Sequence, residues 1–109
     1  MLIDFNEIPE VTLPGMNKGT GEMSSRMFVM DEGKAILCRI HPGGSIGNHR
    51  HDGGMDMNYV LSGEGMASCD GRYEILRPGC MHVCPKGSEH SIKNTGRDDL
   101  VLLTITVNV

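Results

Sequence analysis

The chain has 109 residues, 39% of them hydrophobic and 22% charged, with a formal net charge of −4. That composition suits one folded domain over 1–109 and is too apolar for a disordered chain. No run of Lys or Arg exceeds one residue, so the clustered cations that nucleic-acid binding needs are missing. The longest strongly apolar stretch lies around Val101-Leu102-Leu103, far short of the roughly 20 residues that cross a bilayer.

The first twenty residues, with Pro9, Pro14 and Gly15, read as irregular, with one short edge strand near Ile3 to Phe5. Their start carries no basic region followed by an apolar block, so no secretory signal is expected and residence is expected to be cytoplasmic. From there the apolar pattern has period two. Arg26–Met30 and Lys34–Ile40 flank Asp31-Glu32-Gly33 and predict a hairpin, which His41-Pro42-Gly43-Gly44 breaks. Asp56–Leu61 and Met66–Cys69 follow as strands. Asp70-Gly71 suits a two-residue hairpin turn into Arg72–Leu76. Cys80–Cys84, His90–Lys93 and the β-branched Leu100–Val107 complete the series. Many short, evenly spaced strands predict an all-β sandwich or barrel. Without a secretory signal, Cys38, Cys69, Cys80 and Cys84 are expected to be reduced, acting as small hydrophobic side chains.

His49 and His51 are two apart, so on a strand they share a face, roughly 7 Å apart along the chain. A His-x-His pair alone is weak evidence for a metal and suits two solvated loop histidines better. Asp56 lies beyond the flexible Asp52-Gly53-Gly54 bend, and His90 can bring a third imidazole from another strand. Three imidazoles and a carboxylate match one divalent transition metal (Fe, Mn, Ni, Zn or Cu) and not Ca²⁺ or Mg²⁺.

Gly43, then His49-Arg50-His51, Asp56 and Gly63, resembles the first signature motif of the cupin superfamily, and Gly79, Pro85, Gly87, His90 and Asn94 resembles the second. The motifs occupy 43–63 and 79–94, about half the chain. The departure is Asp56, where cupins usually carry Glu. The resemblance implies a double-stranded β-helix, a jelly-roll barrel of about six to eight strands, holding a metal with His49, His51, Asp56 and His90. Asp56, one methylene shorter than Glu, would ligate directly or through water, or else serve as a base beside the metal. The glycines would mark turns where a side chain clashes, and Asn94 would bond local backbone.

Strand parity puts Asn58 on the face of Asp56, making it a candidate substrate-binding residue, and turns Met55, Met57 and Tyr59 away. Arg39 is a second candidate, as a cation for an anionic substrate. Cys80, His82 and Cys84 alternate on one strand and are expected to pack the core or line the pocket, His82 being a further candidate base. Asp98 and Asp99 read as a solvated turn. The expected function is a small metal-dependent enzyme acting on an oxygen-rich metabolite by dioxygenase, decarboxylase or isomerase chemistry. The alternative is a non-catalytic small-molecule-binding or sensor protein. A small-molecule ligand and a homodimer are the expected partners, with no nucleic acid and no membrane.

Overall fold

A computed structural model describes all of residues 1–109. Ten strands form two sheets. In chain order they are β1 (Val11–Pro14), β2 (Glu22–Met30), β3 (Gly33–Ile40), β4 (Ser45–Arg50), β5 (Gly54–Ser62), β6 (Gly65–Cys69), β7 (Arg72–Leu76), β8 (Met81–Cys84), β9 (Glu89–Asn94) and β10 (Leu100–Asn108). The larger sheet has the order β1-β2-β3-β10-β5-β8 and the smaller β4-β9-β6-β7, with every pairing antiparallel. This is the all-β architecture expected from the strand pattern and the jelly roll that the cupin resemblance implies, with more strands than its six to eight.

The additional strands come from segments whose Gly and Pro content hides them. β1 pairs with the start of β2 from Val11 opposite Ser25 to Pro14 opposite Glu22, and its terminal Pro14 sits on an edge, where a missing N–H costs no ladder bond. The strand expected near Ile3 to Phe5 is instead a 3-10 turn over Phe5–Glu7. Asp4 caps it, its carboxylate accepting from the Asn6 N–H at 3.0 Å, so a local side-chain bond outcompetes pairing there. In the Asp70-Gly71 turn both residues have positive φ (49° and 83°), as a tight hairpin turn requires.

The interior has two levels, and the strand register sets them. Leu100 and Leu102 on β10 face Ile40 and Cys38 on β3, and Leu102 pairs with Val60 on β5. With Ala67, Leu76 and Ile92 from the smaller sheet these form a closed apolar core, Ile40, Val60, Leu100 and Leu102 having no exposed surface. Four residues further along β10, Thr104 pairs with Asn58 and Thr106 with Asp56. There the inward positions turn polar, and a cavity replaces the core. Core burial stabilises the scaffold, leaving the polar level free to serve a ligand.

The four signature glycines, Gly43, Gly63, Gly79 and Gly87, all have positive φ. A clash is the reason at only one of them. A Cβ on Gly63 would lie 2.4 Å from the Asp99 carbonyl oxygen, whereas one on Gly87 would meet nothing within 4 Å. Gly87→Ala should therefore cost about 1 kcal/mol of backbone strain, and Gly63→Ala more than about 2 kcal/mol. Urea denaturation of the two variants checks the difference.

Candidate metal centre

β4 and β9 run side by side, with His49 directly opposite His90. A register shift between Ile46 and His49 kinks β4 just before its histidine. His51 follows the end of β4 and is held by backbone bonds, its N–H donating to Ser88 O and its carbonyl accepting from Gly87 N. The three rings lean together edge to face, with centroids 4.7 Å apart in each pair. Their Nε2 atoms form a near-equilateral triangle with sides of 3.0, 2.9 and 3.2 Å.

That triangle suits a cation. His49 Nδ1–H donates to the Gly47 carbonyl at 2.8 Å, which leaves its Nε2 as a bare lone pair. Three convergent imidazole nitrogens repel unless a proton or a metal lies among them. Donors about 2.1 Å from one ion and at right angles to each other lie about 3.0 Å apart, against about 3.4 Å for a tetrahedral site. The measured sides match the right-angle arrangement. Burial holds the His90 imidazole down to about 3, with His49, His82 and His51 adding to the effect. Burial also lowers His51, against the opposing pull of Asp56. Both rings are thus neutral near pH 7, the form that binds metal.

Asp56 enters from β5 and is 5% exposed. Its Oδ2 lies 3.4 Å from His51 Nε2 and 3.3 Å from His90 Nε2. No such contact reaches His49, and the ligand atoms that all lie within 4.8 Å of one another are those of the three histidines. The short Asp side chain thus reaches two corners of the triangle. Asn58 Nδ2 donates to the same Oδ2 at 3.1 Å, and Thr104 Oγ1 donates to Asn58 Oδ1 at 2.7 Å, fixing the amide. No Lys or Arg contacts Asp56. A buried carboxylate without a cationic partner carries a large desolvation cost, which a divalent ion would offset.

The triangle forms the floor of a cavity of about 260 Å³. Met23, Ile36, Ile46 and Ile92 make its apolar wall, while Ser25, Asn58 and Thr106 add polar groups. Lys34, on β3, is the cation of its lining. Arg39 is a correction to the expectation from sequence. Its strand turns Ile36, Cys38 and Ile40 inward, so odd-numbered Arg39 points away from the cavity. Arg39 Nε donates to Glu10 at 2.9 Å and Nη1 to Asp99 at 2.8 Å, clamping the N-terminal segment to the barrel. The parity that excludes Arg39 admits Lys34, a signal present in the sequence.

His82 also lies elsewhere than a base would need to be. It is 1% exposed and sits behind His90, its Nε2 2.9 Å from His90 Nδ1, outside the cavity lining. Cys80 precedes β8 and packs against the core, and Cys84 is buried. All four cysteines are free, and burial pushes the Cys38 and Cys84 thiols up to about 12, leaving them unreactive. Asn94 donates to Ile40 O and Asp98 O, both at 2.8 Å, and accepts from Gly96 N, closing the loop after β9. Asp99, expected to be merely solvated, accepts from Arg39 and faces His41 Nδ1 at 2.8 Å.

Comparison with known proteins gives consistent relatives. A family model described as "Cupin domain" matches residues 36–106. An "Oxalate-binding protein" from Thermotoga maritima is 31% identical over 98% of this chain and 93% of its own length. A "5-nitrosalicylic acid 1,2-dioxygenase" from a Bradyrhizobium species is 29% identical over 83% of this chain, which spans only 44% of that relative. The solved structure of a predicted oxalate decarboxylase from Thermotoga maritima superposes with a TM-score of 0.93 over 100% of both chains at 27% identity.

The clamp at Arg39 makes stability sensitive to acid. The His41 hydrogen bond, then Arg39, holds the Asp99 carboxyl below its ordinary 3.8, and the Arg39 hydrogen bond holds Glu10 below 4.5. Groups lowered in the folded state stabilise it fully above their unfolded values, and the contribution fades as pH falls through the folded ones. The urea midpoint of the metal-free protein should fall from pH 5 to pH 3, and should fall less steeply in Asp99→Asn.

Proposed function

Because this chain belongs to the cupin family, with the cupin-domain model covering residues 36–106, we propose that it holds one divalent transition ion with His49, His51, His90 and Asp56 and binds a small carboxylate-bearing ligand in the adjoining cavity. The observation that carries this reading is the triangle of converging Nε2 atoms with the Asp56 carboxylate on its edge. Iron, manganese, nickel, zinc and copper all accept such a donor set. When bound, the ion supplies positive charge and open positions for the ligand's oxygen atoms.

The chain's own residues define the ligand's size and charge. A cavity of about 260 Å³ takes a molecule of a few heavy atoms and is smaller than usual drug-sized sites. Lys34 at the rim supplies a counter-charge for a second carboxylate, while Thr106 and Ser25 offer hydroxyls. Asn58 is committed to Asp56 through Nδ2, which donates, and to Thr104 through Oδ1, which accepts, so it positions the carboxylate, with one remaining N–H for a ligand. The oxalate-binding relative has a dianion of this size in its name, and oxalate is the ligand we propose. Binding without turnover is the reading the geometry favours. With the four ligating groups occupied, the remaining lining of the cavity offers no carboxylate or imidazole as a general base.

Metal-dependent dioxygenase, decarboxylase or isomerase chemistry is the second reading. The dioxygenase relative and the structural neighbour described as a predicted oxalate decarboxylase favour it. Oxalate returned unchanged after incubation with the metal-loaded protein supports binding, whereas formate and carbon dioxide support decarboxylation. We also propose cytoplasmic residence and a homodimer. The outer face of the larger sheet exposes Tyr59, Leu61, Met81 and Val83, an apolar surface open to a second copy.

Elemental analysis of untagged protein should find close to one transition ion per chain, and His51→Ala should lose it while keeping the β-rich circular dichroism spectrum. Lys34→Met should keep the ion and bind oxalate about two- to fivefold more weakly in calorimetry, the effect of one exposed charge–charge contact. Equal affinity in wild type and Lys34→Met would place the anion elsewhere.

A further inference from the structure

The three histidines of the triangle are braced in different ways. His49 Nδ1–H donates to a backbone carbonyl, that of Gly47, at 2.8 Å. His90 instead presents its Nδ1 to the Nε2 of a second histidine, His82, at 2.9 Å, and His82 Nδ1 lies 2.6 Å from Glu74 Oε1. The His82 and His90 rings are nearly coplanar, with an interplanar angle of 15° and centroids 5.2 Å apart. That is the geometry of an in-line N–H···N bond between two imidazoles.

The proton positions in this chain are determined from its outer end. Glu74, whose side chain is 51% exposed, accepts as a carboxylate, so His82 carries its proton on Nδ1 and donates it to Glu74. His82 Nε2 is then bare, and it is 0% exposed at its side chain, with only His90 Nδ1 to accept from. His90 therefore carries its proton on Nδ1, and its Nε2 lone pair points into the triangle. Each histidine then has one N–H and one bare nitrogen, both N–H groups donate along the chain, and only His90 Nε2 is left for the triangle. The three residues come from both sheets. His82 lies on β8 of the larger sheet, while His90 on β9 and Glu74 on β7 belong to the smaller.

We infer that His82 and Glu74 are positioning residues that set the affinity of the centre for its ion, by holding His90 in the Nδ1–H tautomer and strengthening its Nε2 as a donor. This inference rests on the metal reading proposed above. A hydrogen-bonded carboxylate at the far end of the chain pushes electron density through His82 toward His90. Without His82, the His90 N–H is buried without an acceptor and the ring is free to take the other tautomer, in which Nε2 carries the proton and cannot ligate. The pair does not touch the cavity, so it acts only through His90.

The test uses zinc alone as the probe, titrated into metal-free protein against a competing chelator. Wild type is compared with Glu74→Ala, Glu74→Gln and His82→Phe. Replacing a hydrogen-bonding partner of a metal-ligating histidine commonly weakens binding by about 10- to 100-fold, which is the loss expected of His82→Phe. Glu74→Ala should lose about 3- to 10-fold, and Glu74→Gln, whose amide carbonyl still accepts from His82, should recover to within about threefold of wild type. Glu74 is exposed on a strand surface, so its variants carry the test if His82→Phe does not fold. In the zinc-loaded wild type, nitrogen-detected NMR of labelled histidines should show both His82 and His90 protonated at Nδ1. Glu74→Ala and Glu74→Gln both within twofold of wild type, or a His82 ring protonated at Nε2, would overturn the brace. Wild-type protein that binds no zinc would remove the metal reading and this inference with it, whereas zinc binding that survives every substitution would remove the inference alone.

Discussion

The polar level of the barrel depends on the repulsion among three imidazole nitrogens brought within about 3 Å of one another, at Nε2 separations of 2.9 to 3.2 Å. Nothing in a folded chain favours that approach on its own. It persists because separate backbone restraints impose it. The pairing of β4 with β9 sets His49 opposite His90, while the Ser88 and Gly87 backbone bonds hold the residue after β4. The apolar core at the other end of the barrel supplies the free energy that keeps those strands in register. A divalent ion held there would turn the repulsion into attraction and give the buried Asp56 carboxylate a partner of opposite sign.

The register that closes the core also composes the site. On β10 the inward residues run Leu100, Leu102, Thr104, Thr106, and their partners on β5 run from Val60 to Asn58 to Asp56. The same two strands are apolar where the core needs filling and polar where a ligand needs groups to meet. A slip of one residue would turn each of these side chains to the outer face. Thr104 and Asn58 show the economy of the arrangement, since a cross-strand pair that joins β10 to β5 also orients the carboxylate.

Much of this was legible in the sequence because it is local or periodic. The hairpin of β2 and β3, the Asp70-Gly71 turn and the alternation in β5 all follow from spacing and turn chemistry, and so does the shared face of Asp56 and Asn58. The two cupin motifs marked the residues that the fold brings together in the triangle. What stayed hidden depends on pairing between distant segments. β1 is recognisable only through its partner β2, and the 3-10 turn over Phe5–Glu7 through the Asp4 cap. Arg39, a candidate ligand-binding cation by its charge, alternates with the inward Ile36, Cys38 and Ile40 and so lies on the outer face, where Glu10 and Asp99 take it. Lys34 carries the opposite parity and lines the cavity, its place beside a turn masking that signal. The link from Glu74 through His82 to His90 crosses between sheets, and no spacing within one strand announces it.

The central claim is that four side chains, His49 on β4, Asp56 on β5, His90 on β9 and His51 just after β4, meet at a single ion. Diffraction from crystals grown with the native metal, recorded at that metal's absorption edge, tests it most directly. The account predicts one anomalous peak per chain inside the Nε2 triangle, about 2.1 Å from His49, His51 and His90, with an Asp56 oxygen in its coordination shell. An occupied metal peak elsewhere in the chain, with the three imidazoles bonded only to one another or to water, would contradict it.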